Sequence, residues 1–306
     1  MKQVVITVFP IVFLLGLGMF FKRKYILSNE QVEGLKFVSM NVFLPLVLFR
    51  SFLNNTYDLS TLSYLVVLFP LCLLMLAAGY LLKKKMRSDN CVPFMMTGFE
   101  VGMLGYALYG FLDGTGDLTP LALVDFGHSI FMFSTYFVLL NMSFGKGSVK
   151  DSILSTMRSP FFVAFISGLF CGVLGLGKLL QGSLLMGFID ALFEVFSKAL
   201  SATILISLGY GIEIRKEVLK QSLILVVFRM ILSFISAFIA IKAFDLLIGV
   251  DEKMLKALLV FFILPPTYTV AAYVKDARSM KLVSTMSSIY TILSVVSYLL
   301  IVLLFR

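Results

Sequence analysis

Four ionisable side chains, Glu100, Asp125, His128 and Arg229, sit where this chain is otherwise apolar. Glu100 lies in the stretch Thr97-Gly98-Phe99-Glu100-Val101-Gly102-Met103-Leu104-Gly105. A charged group at mid-bilayer costs roughly 2.5–3.5 kcal/mol even on the mild insertion scale, so such residues mark proton, ion or solute paths. Glu100 fits a proton-coupling carboxylate or a solute hydrogen-bonding group; a buried acid tied to a neighbouring helix is the other reading. Asp125 and His128 are spaced i, i+3 and share a helix face. Histidine ordinarily titrates closest to neutral pH, so this pair reads either as a relay with Glu100 or as a structural hydrogen-bonded couple. Arg229 carries a fork suited to a solute carboxylate, or to a salt bridge with an intramembrane acid.

A second apolar stretch, Leu264-Pro265-Pro266-Thr267-Tyr268-Thr269, puts two prolines directly before three hydrogen-bonding side chains. Gly and Pro weaken the helical ladder, and backbone groups freed inside a bilayer need a partner helix, a cavity or a ligand. Gly102 and Gly105 allow close backbone approach on the first stretch, while Asn41 stands one turn before Pro45 and either opens a carbonyl or marks a kink. The glycine-rich and proline-rich stretches occupy matching places in the two halves of the chain. Such a pair of interrupted apolar segments points to a transporter's binding site.

Other chemistries are excluded. No metal-ligand spacing occurs, and Cys72, Cys91 and Cys171 lie in or beside apolar runs without paired spacing. Gly172, Gly177 and Lys178 have the spacing of a phosphate loop, but Leu179 stands where Ser or Thr belongs and the motif ends an apolar run. No nucleotide, cofactor or metal is expected. No nucleophile–base pair or soluble output domain is present, so no catalytic residue is assigned and an intramembrane enzyme or sensor is a remote alternative.

The elements that hold these residues follow from hydropathy. Of 306 residues, 59% are hydrophobic and 14% charged, with a mean hydropathy of +1.00; that composition belongs to a polytopic helical membrane protein. The net charge of +9 resides in short loops and reports orientation, not nucleic-acid binding. Spans of about 20 apolar residues place ten helices at 3–21, 32–53, 61–82, 91–112, 119–143, 159–178, 188–212, 218–246, 254–274 and 282–305. The stretch 182–212 exceeds one perpendicular crossing; its Asp190, Glu194 and Lys198 stripe predicts a partly interfacial lead-in, and Arg50 is expected to snorkel. Lys and Arg number 16 in or at the mouth of the loops after odd spans, against five on the other side, which predicts both termini outside. Five spans per half force the halves, 1–150 and 151–306, into inverted repeats; Leu15-Gly16-Leu17-Gly18 and Leu174-Gly175-Leu176-Gly177 close spans 1 and 6 alike.

The chain resembles the auxin efflux carrier family, the bacterial relatives of the plant PIN carriers, over nearly its whole length. The resemblance rests on Phe9-Pro10, Lys22-Arg23-Lys24, Leu27-Ser28 and Asn41-x3-Pro45-x3-Phe49, on Gly102 and Gly105 of span 4, and on Leu264-Pro265 with Lys275-Asp276 downstream. Glu100 stands where the family has Asn, Ala107 where span 4 has its proline, and Val270 where the second proline falls, leaving the glycines and Pro265-Pro266 to make the breaks. The resemblance implies broken, crossing helices 4 and 9, with spans 1, 2, 6 and 7 as scaffold and 3–5 and 8–10 as a transport unit. It further implies an alternating-access carrier, an efflux carrier in the family's pattern, of a small organic anion in the plasma membrane. A proton- or sodium-coupled symporter of bile-acid-symporter-like architecture is the alternative, and homodimerisation is left open. The expected solute and coupling-ion residues are Glu100, Gly102, Gly105, Asn41, Asp125, His128, Arg229, Pro265, Pro266, Thr267, Tyr268 and Thr269.

Overall fold

The structure is a computed structural model. It describes residues 2–54, 61–86, 88–113, 117–144, 150, 154, 157–274 and 276–305, except the side chains of 2–8, 113, 161 and 272. Lys275 of the family resemblance and Asp151, the first residue of the second half, lie outside the described residues.

The described residues are helical almost throughout. The helices are α1 (Lys2–Arg23), α2 (Asn29–Leu53), α3 (Thr61–Met86), α4 (Val92–Met96), α5 (Val101–Leu112) and α6 (Thr119–Phe144). They continue with α7 (Pro160–Val173), a single helical turn over Leu176–Leu179, α8 (Leu184–Gly211), α9 (Leu219–Leu247), α10 (Glu252–Ile263), α11 (Val270–Tyr273) and α12 (Ala277–Leu304). Among the described residues six helical segments are long and apolar enough to cross a membrane: α2, α3, α6, α8, α9 with its preceding turn, and α12. Among them α8 runs unbroken from Leu184, so the polar lead-in and the apolar part expected of 182–212 form one helix.

Local chemistry explains the helix ends and irregularities. Ser28 and Gln31 form a reciprocal capping box at the start of α2, bonding at 3.2 and 2.8 Å. Pro45 lacks the N–H that would bond the carbonyl of Asn41. The helix widens there into a π-turn over Ser39–Phe43, in which the Leu44 N–H bonds Ser39 O. Ser159, Asp251 and Asp276 cap α7, α10 and α12 by accepting from the amides of Phe162, Met254 and Ser279.

By packing, the chain forms two compact units, each drawing on both halves of the sequence. Unit 1 comprises Met1–Thr61, Gly102–Leu123 and Ser155–Gly211, and unit 2 comprises Leu62–Val101, Val124–Leu154 and Ile212–Arg306. Within unit 1, α1 packs on α8 and α7 on α2 through glycines. A Cβ on Gly18 would strike the backbone of Ile206 and Tyr210, and one on Gly209 the backbone of Leu15; Gly168 and Gly177 meet Phe49 and Leu53 in the same manner. Within unit 2, Gly79 seats against Pro93 and Gly127 against the Tyr64 carbonyl. The approach to α9 is tied to α12, since the amides of Glu213 and Arg215 donate to Ser288 and Thr285 at 2.9 and 3.0 Å.

Candidate functional site

The site grows from two helix breaks inside unit 2. The first follows α4, where Thr97 is extended (φ −130°, ψ −178°) and Gly98 adopts φ +71°, a left-handed conformation that glycine enters without Cβ strain. The second follows α10. A residue before proline is pushed out of the α region, and Leu264, preceding Pro265, is extended at φ −65°, ψ 147°. The two extended segments pair antiparallel: Phe99 bridges to Pro266, and the Glu100 N–H donates to Pro265 O at 3.0 Å.

Breaking two helices in an apolar interior frees carbonyls and amides that must each be satisfied. Arg229, on α9 and fully buried, supplies most of the donors. Its Nη1 bonds Met95 O at 2.9 Å and Thr97 O at 3.2 Å, and its Nη2 bonds Gly98 O at 2.9 Å and Leu264 O at 3.4 Å. The guanidinium lies over the rings of Phe99 and Tyr290, 4.9 and 5.2 Å from their centroids, where cation–π attraction offsets part of its desolvation. Tyr136 Oη donates to Phe94 O at 3.0 Å, and Ser294 Oγ to Ile263 O at 2.5 Å.

The amides are met by acids and bases. The Phe99 N–H donates to His128 Nε2 at 3.1 Å, which makes Nε2 the acceptor and places the imidazole proton on Nδ1, toward Asp125 Oδ1 at 3.1 Å. Ser129 Oγ donates to that same carboxylate oxygen at 3.3 Å. The Tyr268 N–H donates to Glu100 Oε2 at 2.7 Å, so the Glu100 carboxylate pins the second break to the first. Glu100 is 6% exposed. Beside it, Tyr268 Oη is 2.7 Å from Thr291 Oγ1, and Thr267 Oγ1 donates to Thr269 Oγ1 at 3.1 Å.

Of the expected site residues, the structure gathers Glu100, Asp125, His128, Arg229, Pro265, Pro266, Thr267, Tyr268 and Thr269 in or against the paired breaks of unit 2. Asn41, Gly102 and Gly105 belong to unit 1. Asn41 donates to Phe37 O at 2.8 Å beside the π-turn, and Gly102 leaves room for Leu44 and Met40. Arg229 meets backbone carbonyls on both terminal nitrogens, an arrangement distinct from the carboxylate contacts expected of it. His128 likewise acts on a backbone amide.

Sequence reasoning missed Phe99, Ser294, Tyr136 and Tyr290. Phe99 is enclosed by the rings of His128, Phe261 and Phe262. Its one signal was its place between Gly98 and Glu100, and the other three had none, because their value lies in which distant carbonyl or ring they reach. Among the described residues no group of three or more His, Cys, Asp or Glu is placed to hold a metal. No protein-family model matches the chain, and no curated protein matches it significantly.

Proposed function

We propose that this protein is a secondary active transporter that moves a small organic anion by alternating access, with the paired breaks around Glu100 as the solute and coupling site. The observation that carries this reading is the antiparallel pairing of two interrupted helices, with a carboxylate spanning from one break to an amide of the other. Structures that only anchor or pack have no need to interrupt two apolar helices at one place and then bring a buried cation to four of the freed carbonyls. Helix breaks of this kind are where transporters offer backbone and side-chain groups to a solute and its coupling ion.

The reading extends to a ten-span chain of two inverted five-span repeats, of the auxin efflux carrier type, in the plasma membrane with both termini outside. Two packings support it. The pairs α1–α8 and α7–α2 correspond to spans 1–7 and 6–2, which exchange under a two-fold relation of the halves, and the breaks in spans 4 and 9 exchange likewise. Glu100 favours proton coupling: as an anion it holds the Tyr268 amide strongly, and protonation weakens that hold and frees the second break to rearrange. The test is uptake into proteoliposomes across an organic-acid panel under imposed pH and sodium gradients. Accumulation of an organic anion driven by one of these gradients is expected. No accumulation of any tested anion under any gradient, from protein shown to be folded and inserted, would refute it.

A further inference from the structure

The Arg50 end of unit 1 holds charge that the paired breaks do not use. Arg50 donates from Nε to Asp190 Oδ1 at 2.8 Å, and its guanidinium lies 4.9 Å from the Phe193 ring centroid. Among the described residues neither Nη1 nor Nη2 of Arg50 is bonded to an acceptor, although the side chain is only 23% exposed. Beside it lies a cavity of about 500 Å³, lined by Arg50, Asn54, Lys178, Gln181, Ser183 and Asp190, among others. Lys178 forms no ion pair among the described residues, so two cations face this cavity against one carboxylate. Arg50 and Asp190 also border a larger cavity of about 860 Å³, but there Asp117, Asp190 and Glu194 outnumber Arg50 and Lys198. The charge balance therefore directs an anion to the smaller cavity.

We propose that the Arg50–Lys178 cavity is a binding site for a small carboxylate. The two terminal guanidinium nitrogens present parallel N–H groups in the geometry a carboxylate accepts bidentately. Lys178 adds a second positive charge, and the amides of Asn54 and Gln181 add neutral donors. Asp190 orients the guanidinium through Nε and leaves the fork open. The role of the site as a station for the transported solute rests on the carrier reading above; the binding itself does not.

The experiment is calorimetric titration of the full chain, in nanodiscs of phosphatidylcholine at low salt, with benzoate and with succinate. Wild type should bind at least one of them, more weakly as salt rises. Arg50→Gln should raise Kd about tenfold or more, Arg50→Lys should raise it less, and Lys178→Gln about threefold. Asp190→Asn should lower Kd, because it removes the competing charge while keeping a partner for Nε; this variant needs no loss of folding to be informative. Unchanged Kd in Arg50→Gln and Lys178→Gln, or weaker binding in Asp190→Asn, would overturn the site. So would loss of carboxylate binding in discs containing phosphatidylglycerol, which would assign the fork to a lipid phosphate. Failure of the site with intact gradient-driven accumulation leaves the carrier reading standing, and binding without any accumulation leaves only the site.

Discussion

Arg229→Met removes the donor that both helix breaks share. Three of the four carbonyl bonds of Arg229 are 3.2 Å or shorter, and their acceptors lie in an interior where water does not replace the donor. Leaving a buried acceptor unsatisfied costs about 1–3 kcal/mol each, so the three together amount to about 3–9 kcal/mol. Removing the buried cation recovers several kcal/mol of desolvation, and the net loss comes to about 2–4 kcal/mol. By the scaling of soluble domains of 150–250 residues, that lowers Tm by roughly 4–16 °C. Arg229→Lys retains the charge but one ammonium cannot span carbonyls on both breaks, so about half the loss is expected. The protein carries its own reporters, since Cys72 and Cys91 are 1% and 0% exposed. A thiol-reactive fluorophore will label them on unfolding, in a Cys171→Ser background that removes the more exposed thiol. If Arg229→Met melts within a degree of wild type, the clamp is not what holds the breaks and the account of the site fails.

Four further outcomes follow. Glu100→Gln keeps the shape but not the titration, so it should still bind solute while losing proton-driven accumulation; wild-type accumulation measured in proteoliposomes would refute coupling through Glu100. His128→Ala should lower stability by about 1–2 kcal/mol by orphaning the Phe99 amide, and His128→Gln should recover part of it, read from the same melting assay. Gly209→Leu, whose side chain would be driven into the Leu15 backbone, should cost more than the about 1–3 kcal/mol typical of overpacking, or abolish folded yield on size exclusion. Asp276 accepts the Ser279 amide at 2.8 Å, and those cap bonds hold its carboxyl below the usual carboxylate range. Because its folded value is depressed, its contribution is complete above the ordinary Asp pKa of about 3.9 and is lost as pH falls through the lower folded value; Asp276→Ala should cost about 1 kcal/mol at neutral pH and nothing in strong acid. The orientation of the chain is open to a separate check: Ser60 and Ser148, which lie outside the described residues, should label as cysteines from outside and inside respectively, and the reverse pattern would sink the topology.

The sequence by itself determined where six of the ten expected spans lie and where two apolar segments break. Both are local properties. Hydropathy runs of spanning length yield the segments of α2, α3, α6, α8, α9 and α12, and the conformations that Gly98 and Leu264 must take follow from a missing Cβ and a following proline. The residues that freed backbone demands were also partly legible, because Glu100, His128 and Arg229 are too costly in an apolar interior to lack a partner. Only the tertiary structure decided which partner each one takes. Arg229 reaches Met95 O, 134 residues away, and Glu100 reaches the Tyr268 amide, 168 residues away. A carbonyl released by a break accepts from whichever donor the packing brings within about 3 Å, and nothing in the local sequence of α4 or α10 names that donor. The same limit explains why Arg50 read as a snorkelling side chain: its pairing with Asp190, 140 residues on, and the cavity beside its open fork exist only once α2 and α8 are packed.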